Sequence, residues 1–161
     1  MTRPHTGRQS GLTLIELMVG LSIMALLAVS AAPFLGDYLA NSRLRESGHT
    51  LYSEALAAQS EAIKRNGTVR LSTNGSTVQV IDRAPATPVV LRERSLPDGI
   101  TAATSTIDFG ADGLTVPFGT TGSINVTLAG VTCSTNYRCP GLRVDAGGAV
   151  RLCTDTTVTG C

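Results

Sequence analysis

A run of 24 residues from Leu12 to Leu35 contains one ionisable side chain, Glu16, and constrains the fold more than any other feature. At about 1.5 Å of rise per residue, the run makes roughly 36 Å of helix, enough to cross a hydrocarbon core of about 30 Å. Two basic residues, Arg3 and Arg8, precede it without any acidic residue. Because basic flanks stay in the cytoplasm, we expect a cytoplasmic N-terminus and an exported remainder.

Two simpler interpretations of this run are a cleavable secretory signal and a plain membrane anchor with no further role. A secretory signal has an apolar segment of about 7–15 residues and ends in small residues such as A-x-A, and this run is longer and lacks a clear site of that kind. A carboxylate such as Glu16 inside a membrane span costs roughly 2.5–3.5 kcal/mol unless it reaches the headgroups or finds a partner. Hydropathy alone therefore favours the plain anchor, whereas Glu16 indicates that the segment has a further role.

The residues around Glu16 resemble the prepilin signature of the type IV pilin and pseudopilin family, which is a glycine, a hydrophobic residue and then T-L-I-E-L. Here the stretch Gly11–Val19 reads G-L-T-L-I-E-L-M-V. The resemblance implies that a prepilin peptidase cuts between Gly11 and Leu12 and methylates the new amino group of Leu12. It also implies that Glu16 pairs with that amine, typically in a neighbouring subunit. Leu12 departs from the family, which usually has Phe there, but other apolar residues are accepted.

The pattern after the apolar run predicts a second, amphipathic stretch of the same helix. Proline inside a helix removes a backbone hydrogen bond, so we expect a kink at Pro33, or an end near Ala32, with helix again from Tyr38 onward. Polar side chains recur at helical spacing on one face, and a narrow apolar stripe lies on another. The polar set is Arg43, Glu46, Thr50, Glu54, Glu61 and Lys64, and the stripe is Leu44, Leu51, Ala55, Ala58 and Ala62. Asn66-Gly67 is a stop signal.

After Gly67 the periodicity changes to that of strands, with turn residues such as Asn74-Gly75, Asp112-Gly113 and Gly147-Gly148 between short β-prone runs. No long helical pattern separates the runs, so we expect an antiparallel sheet and an α+β fold in which the long N-terminal helix packs on that sheet. The predicted strands are Thr68–Ser72, Thr77–Ile81, Val89–Arg92, Thr106–Phe109, Ser123–Leu128, Leu142–Val144 and Ala149–Cys153. The predicted divisions are a leader (1–11), a transmembrane and assembly segment (12–39), an amphipathic segment (40–66) and a periplasmic β domain (67–161).

All four cysteines lie within the last 29 residues, and their spacing lacks the close pairs of a zinc ribbon. An exported domain meets an oxidising compartment, so two disulfides are the default expectation. Three pairing schemes are open, and we favour the one made of the two local bridges, Cys133–Cys139 and Cys153–Cys161. The candidates are Cys133, Cys139, Cys153 and Cys161.

A second resemblance narrows the family. The segment Ser60–Leu71, S-E-A-I-K-R-N-G-T-V-R-L, is similar to the helix end and first strand of the GspH/FimT group, and Thr106–Phe109 with Gly113 resembles its central strand and turn less specifically. Members of that group are minor pseudopilins of type II secretion systems and minor pilins of type IV pili. The resemblance implies a structural subunit at or near a filament tip, whose partners are prepilin peptidase, other major and minor subunits and inner-membrane lipid.

The alternative function is DNA uptake, since FimT-type members are associated with a basic G-R-x-R hairpin. The corresponding stretch here, Gly148–Arg151, has Ala149 in place of the first arginine. Arg138, Arg143 and Arg151 are the candidate DNA contacts, offset by nearby acids. After removal of the leader, the chain has 11 Lys and Arg against 12 Asp and Glu, which is a poor balance for phosphate binding.

Enzymatic function has little support in the sequence. After removal of the leader, His49 is the one remaining histidine, and no triad or phosphate-binding glycine loop is recognisable. We therefore expect no catalytic residue, metal or cofactor. The predicted location is the bacterial inner membrane, with the C-terminal domain in the periplasm, and later a filament.

Overall fold

The computed structural model describes residues 11–158 and Cys161. A 52-residue helix, α1 (Leu14–Arg65), is followed by seven strands. The chain forms two compact units, one ending at Gly36 and the other comprising Asp37–Cys161. The α+β class expected from the sequence is confirmed.

The first unit contains the apolar part of α1. Residues Leu14–Ala31 have a mean hydropathy of 2.2, and none of this segment is buried within the structure. The helix continues through Pro33, so it does not end near Ala32. The side chains of Ala32 and Pro33 lie outside the described residues, and the kink at Pro33 stays a prediction.

In the second unit, α1 buries one face in the core, and the apolar stripe expected from the sequence is confirmed. Its five residues, Leu44, Leu51, Ala55, Ala58 and Ala62, are all fully buried. Ser47 is buried with them. Glu54, one of the predicted polar set, is also buried: its residue is 2% exposed, and its carboxylate is ion-paired with Arg92.

The helix ends at the predicted stop signal. Asn66 has a φ of +50°, and the two residues after the helix donate back to it: Asn66 N to Ile63 O at 3.2 Å and Gly67 N to Ala62 O at 3.1 Å. This pair of hydrogen bonds is a Schellman motif, which satisfies carbonyl groups that the helix leaves free. The left-handed residue is the asparagine, and the glycine follows it.

The seven strands form one sheet in the order β3-β2-β1-β4-β5-β6-β7, and every neighbouring pair is antiparallel. All seven predicted strands exist, but the fourth begins at Ile100, six residues before the predicted start. Its first half contains Ala102 and Ala103, which are poor strand formers, and Ile100 and Ala102 anchor it by burial. The strands are β1 (Val69–Gly75), β2 (Thr77–Asp82), β3 (Val89–Ser95), β4 (Ile100–Phe109), β5 (Gly122–Leu128), β6 (Gly141–Val144) and β7 (Val150–Cys153).

The core lies between the helix and one face of the sheet. Phe109 is among the largest fully buried side chains, and the surrounding core is aliphatic, with Leu71, Ile124 and Leu142 fully buried. Of the three cysteine pairings left open by the sequence, the structure contains the local one. Cys133 is bonded to Cys139, and Cys153 to Cys161.

Candidate functional site

The apolar segment of α1 presents a continuous hydrophobic surface to its surroundings. Leu14 is 78% exposed and Val29 76% exposed, and the large apolar residues between them are all more than half exposed. Contiguous apolar surface of this extent marks a membrane or protein contact. This surface is one part of the candidate site.

Glu16 lies in the first turn of α1, where it forms a capping box with Thr13. Its carboxylate accepts hydrogen bonds from the Thr13 backbone N at 3.0 Å and from Thr13 Oγ1 at 2.8 Å, while the Glu16 backbone N donates to Thr13 Oγ1 at 3.3 Å. The T-x-x-E spacing that signals this box is present in the sequence, and the sequence interpretation overlooked it. Glu16 therefore has a local partner inside its own chain.

The predicted cleavage position precedes the helix. Gly11 and Leu12 are both exposed, Leu12 to 82%, and they lie outside regular secondary structure. A Cβ built on Gly11 would meet no heavy atom within 4 Å. The basic residues Arg3 and Arg8 lie outside the described residues.

The loop closed by Cys133 and Cys139 is attached to the start of the second unit through helix side chains. The Tyr137 hydroxyl donates to Asp37 Oδ1, and this hydrogen bond is the main cause of a raised pKa of Tyr137. Asn41 Nδ2 donates to the Asn136 carbonyl at 2.8 Å, and Asn41 Oδ1 accepts from the Arg138 backbone N at 3.2 Å. These contacts join residues about 95 positions apart and have no local sequence signal.

The three arginines suggested as DNA contacts do not form one surface. Arg143 and Arg151 are paired across β6 and β7 and line a cavity that also contains Asp145. Arg151 Nη2 lies 3.6 Å from Asp145 Oδ2, and Arg143 Nε donates to the Cys161 carbonyl at 3.0 Å. Arg138 lines a different cavity. The DNA-binding alternative is not favoured.

Two further polar contacts connect α1 to the rest of the second unit. Glu54 accepts from Arg92 Nε and Nη2, both at 2.9 Å, and lies 3.4 Å from Arg94 Nε. Gln59 Nε2 donates to the carbonyls of Gly113 at 2.7 Å and Gly148 at 3.0 Å, so one side chain holds two separate turns. Sequence periodicity places Glu54 and Gln59 on the helix, but it does not predict contacts with residues that are distant in the chain.

His49, the one histidine after Gly11, is an exposed helix residue. Among residues 11–158 and Cys161, no group of three or more His, Cys, Asp and Glu side chains is arranged to hold a metal ion.

An exposed apolar N-terminal helix that continues into a small antiparallel domain defines the pilin class of assembly proteins. Consistent with this, the model of the family "Type II transport protein GspH" matches residues 48–155, and that of the "Prokaryotic N-terminal methylation motif" matches residues 6–32. The chain belongs to the GspH family of minor pseudopilins and type IV minor pilins. Comparison with curated proteins gave no match.

Solved structures of the same class share the fold. The type IV minor pilin FimU of Pseudomonas aeruginosa is 17% identical with a TM-score of 0.57, over 69% of this chain and 88% of the FimU chain. The minor pseudopilin EpsH from the type II secretion system of Vibrio cholerae is 12% identical with a TM-score of 0.54, over 71% of this chain and 96% of that chain. At these identities the agreement concerns the fold.

Proposed function

We propose that the chain is a structural subunit of a type II secretion or type IV pilus filament, without catalytic activity. Before assembly it resides in the inner membrane as a single-pass protein, with its N-terminus in the cytoplasm and its β domain in the periplasm. The observation that carries the proposal is the unburied apolar segment Leu14–Ala31, which lies within the match to the N-methylation motif at residues 6–32.

The segment has to serve two environments in turn. In the membrane it faces lipid, and in the filament it faces equivalent helices of other subunits. Lipid tails are as apolar as leucine, so the transfer is driven by close side-chain packing and by polar contacts more than by the removal of water. Glu16 supplies such a polar contact, because a charge in an apolar bundle is tolerated when it is paired.

Processing comes before assembly. Prepilin peptidase cuts between Gly11 and Leu12 and methylates the amino group of Leu12. The exposure of both residues and the open space around Gly11 are compatible with access by a protease. The new amine then carries the positive charge that Glu16 of a neighbouring subunit pairs with.

The decisive experiment is intact-mass and N-terminal peptide mass spectrometry of the protein from cells with and without prepilin peptidase. We expect a methylated N-terminus at Leu12 in the first sample and the uncut chain in the second. Gly11→Val should block the cut, whereas Gly20→Ala, at an open helix position, should leave it unchanged. An unprocessed Met1 in cells that contain the peptidase, or cleavage beyond Pro33, contradicts the proposal.

We further propose that the subunit lies at or near the filament tip. Support comes from membership of a family of minor pseudopilins and type IV minor pilins. Immunogold labelling of sheared filaments with an antibody to the β domain tests this position. Labels at filament ends are expected, and labels distributed along the shaft contradict it.

A further inference from the structure

A cavity of about 430 Å³ lies between α1 and the disulfide loop, within the second unit. Its walls combine guanidinium, imidazole and amide groups with an apolar floor. The lining residues are Asn41, Arg45, His49, Asn136, Arg138, Pro140, Leu152 and Thr154. The volume lies in the range of small-ligand sites.

The lining is basic and contains no carboxylate. Within residues 11–158 and Cys161, neither Arg45 nor Arg138 forms an ion pair within 4.0 Å. Of the nearby acids, Asp37 accepts from the Tyr137 hydroxyl, and Asp155 accepts from the backbone N and Oγ1 of Thr157. Asp155 also interacts with the charge of Arg138 at longer range. This interaction lies outside ion-pair distance, so both guanidinium groups can form a direct ion pair with an anion from outside.

The cavity is built on fixed elements. Asn41 accepts from the Arg138 backbone N at 3.2 Å and donates to the Asn136 carbonyl, which sets the position of the loop wall. Pro140 closes over Gly48 so tightly that a Cβ on Gly48 would lie 2.7 Å from Pro140 Cβ. The bond between Cys133 and Cys139 closes the loop itself. A site held in this way is preorganised for its ligand.

We propose that this cavity binds an aspartate or glutamate side chain on a peptide segment of another filament subunit. Planar guanidinium groups match a carboxylate, and Pro140 and Leu152 match the aliphatic part of an acidic side chain. The assignment of the peptide to another subunit rests on the proposed function, whereas the carboxylate specificity rests on the cavity alone.

A nucleic-acid backbone fits these observations less well. Strand binding requires several cations along a track, because each neutralised phosphate contributes to affinity through counterion release. Here two arginines line one cavity, and the processed chain has one more acidic than basic residue. The test therefore includes a DNA strand, and its binding at this cavity would contradict the proposal.

The test is an NMR titration of the full, isotope-labelled chain in uncharged detergent micelles. The probes are acetylated, amidated Gly-Glu-Gly, the matched neutral peptide Gly-Gln-Gly, inorganic phosphate and a thymidine dodecamer. We expect saturable shifts of the Asn136 and Arg138 amides with the glutamate peptide. Binding of the glutamine peptide should be about tenfold weaker, the size expected for loss of a charge-assisted contact.

Arg45→Gln and Arg138→Gln should each weaken binding of the glutamate peptide about tenfold, whereas the control Arg151→Gln should not change it. Both cavity arginines are exposed, so the amide spectrum of each variant should retain the fold. Equal binding of the two peptides, absence of saturable shifts, or tighter binding of the dodecamer that Arg138→Gln abolishes would overturn the proposal. The titration uses single chains, so its result is independent of processing at Gly11 and of filament assembly.

Discussion

The carboxylate of Glu54 on α1 receives both Nε and Nη2 of Arg92 on β3, each at 2.9 Å. The Glu54 side chain is 3% exposed, whereas that of Arg92 is 44% exposed. If the ion pair is broken, the Arg92 guanidinium can be hydrated, whereas the buried Glu54 carboxylate cannot. This asymmetry determines which substitution is the more damaging.

We expect Arg92→Ala to lower the free energy of unfolding by about 2–3 kcal/mol, because it leaves a buried carboxylate with only the longer contact to Arg94. Glu54→Gln removes the charge that needs a partner and should cost about 1 kcal/mol. The control Arg94→Ala, at a side chain that is 61% exposed, should cost less than either. Urea denaturation followed by circular dichroism measures all three, and an equal loss for Glu54→Gln and Arg92→Ala contradicts the argument.

The close approach of Gly48 to Pro140 gives a second prediction. A Cβ at position 48 would lie 2.7 Å from Pro140 Cβ and 3.2 Å from Leu152 Cδ1, so Gly48→Ala should destabilise the second unit by about 1–3 kcal/mol despite the better helix propensity of alanine. Thermal unfolding measures the loss. The matched control is Gly36→Ala, since position 36 of the same helix has open space around it. A melting temperature of Gly48→Ala equal to or higher than that of the wild type would contradict the prediction, because it would show that the loop containing Pro140 can move away from the helix.

The hydrogen bond from Tyr137 to Asp37 gives a pH prediction. It raises the pKa of Tyr137, so its stabilising effect is complete below the unfolded-state value of about 10 and is lost as the pH rises through the higher folded-state pKa. Asp37→Asn should return the Tyr137 titration toward the ordinary value, as followed by NMR of the tyrosine ring. Tyr52→Phe is a suitable control, because it should leave the Tyr137 titration unchanged. Tyr137 titrating at the same pH in the wild-type and Asp37→Asn chains would contradict this contact.

Glu16 gives the prediction closest to function. Glu16→Ala should leave the chain inserted in the membrane but reduce its incorporation into sheared filaments at least tenfold, measured by immunoblotting of both fractions. Thr13→Val removes the side-chain half of the capping box but keeps the carboxylate, so it separates helix capping from pairing between subunits. Normal incorporation of Glu16→Ala would remove this carboxylate from the assembly mechanism.

How far the sequence predicts this structure depends on how local each signal is. The buried stripe from Leu44 to Ala62 and the stop at Asn66 follow from spacing within one helix, and the structure confirms both. The contact between Glu54 and Arg92 joins residues 38 positions apart, and a lone carboxylate at helical spacing is indistinguishable from a solvated one. The same limit applies to the cavity, whose walls come from α1 and from the C-terminal loops.

The early start of β4 has a different cause. Between Ile100 and Thr106 the side chains are small, and their pairing is defined by neighbouring strands: Ile100 opposite Leu128 and Ala102 opposite Val126. The start of this strand pairs with β5, and from Ala102, which lies opposite Gly75, the strand also pairs with β1. Intrinsic propensity does not describe such pairing.

The capping box at the start of α1 also bears on the order of events during maturation. All the groups that form it belong to Thr13 and Glu16, and the proposed cut between Gly11 and Leu12 lies outside it. Loss of the leader therefore adds a charged amine one residue from the box without dismantling the first turn of the helix. Under the proposed function, an amine of a neighbouring subunit competes with Thr13 for the carboxylate of Glu16, so the cut by itself does not free this carboxylate for assembly.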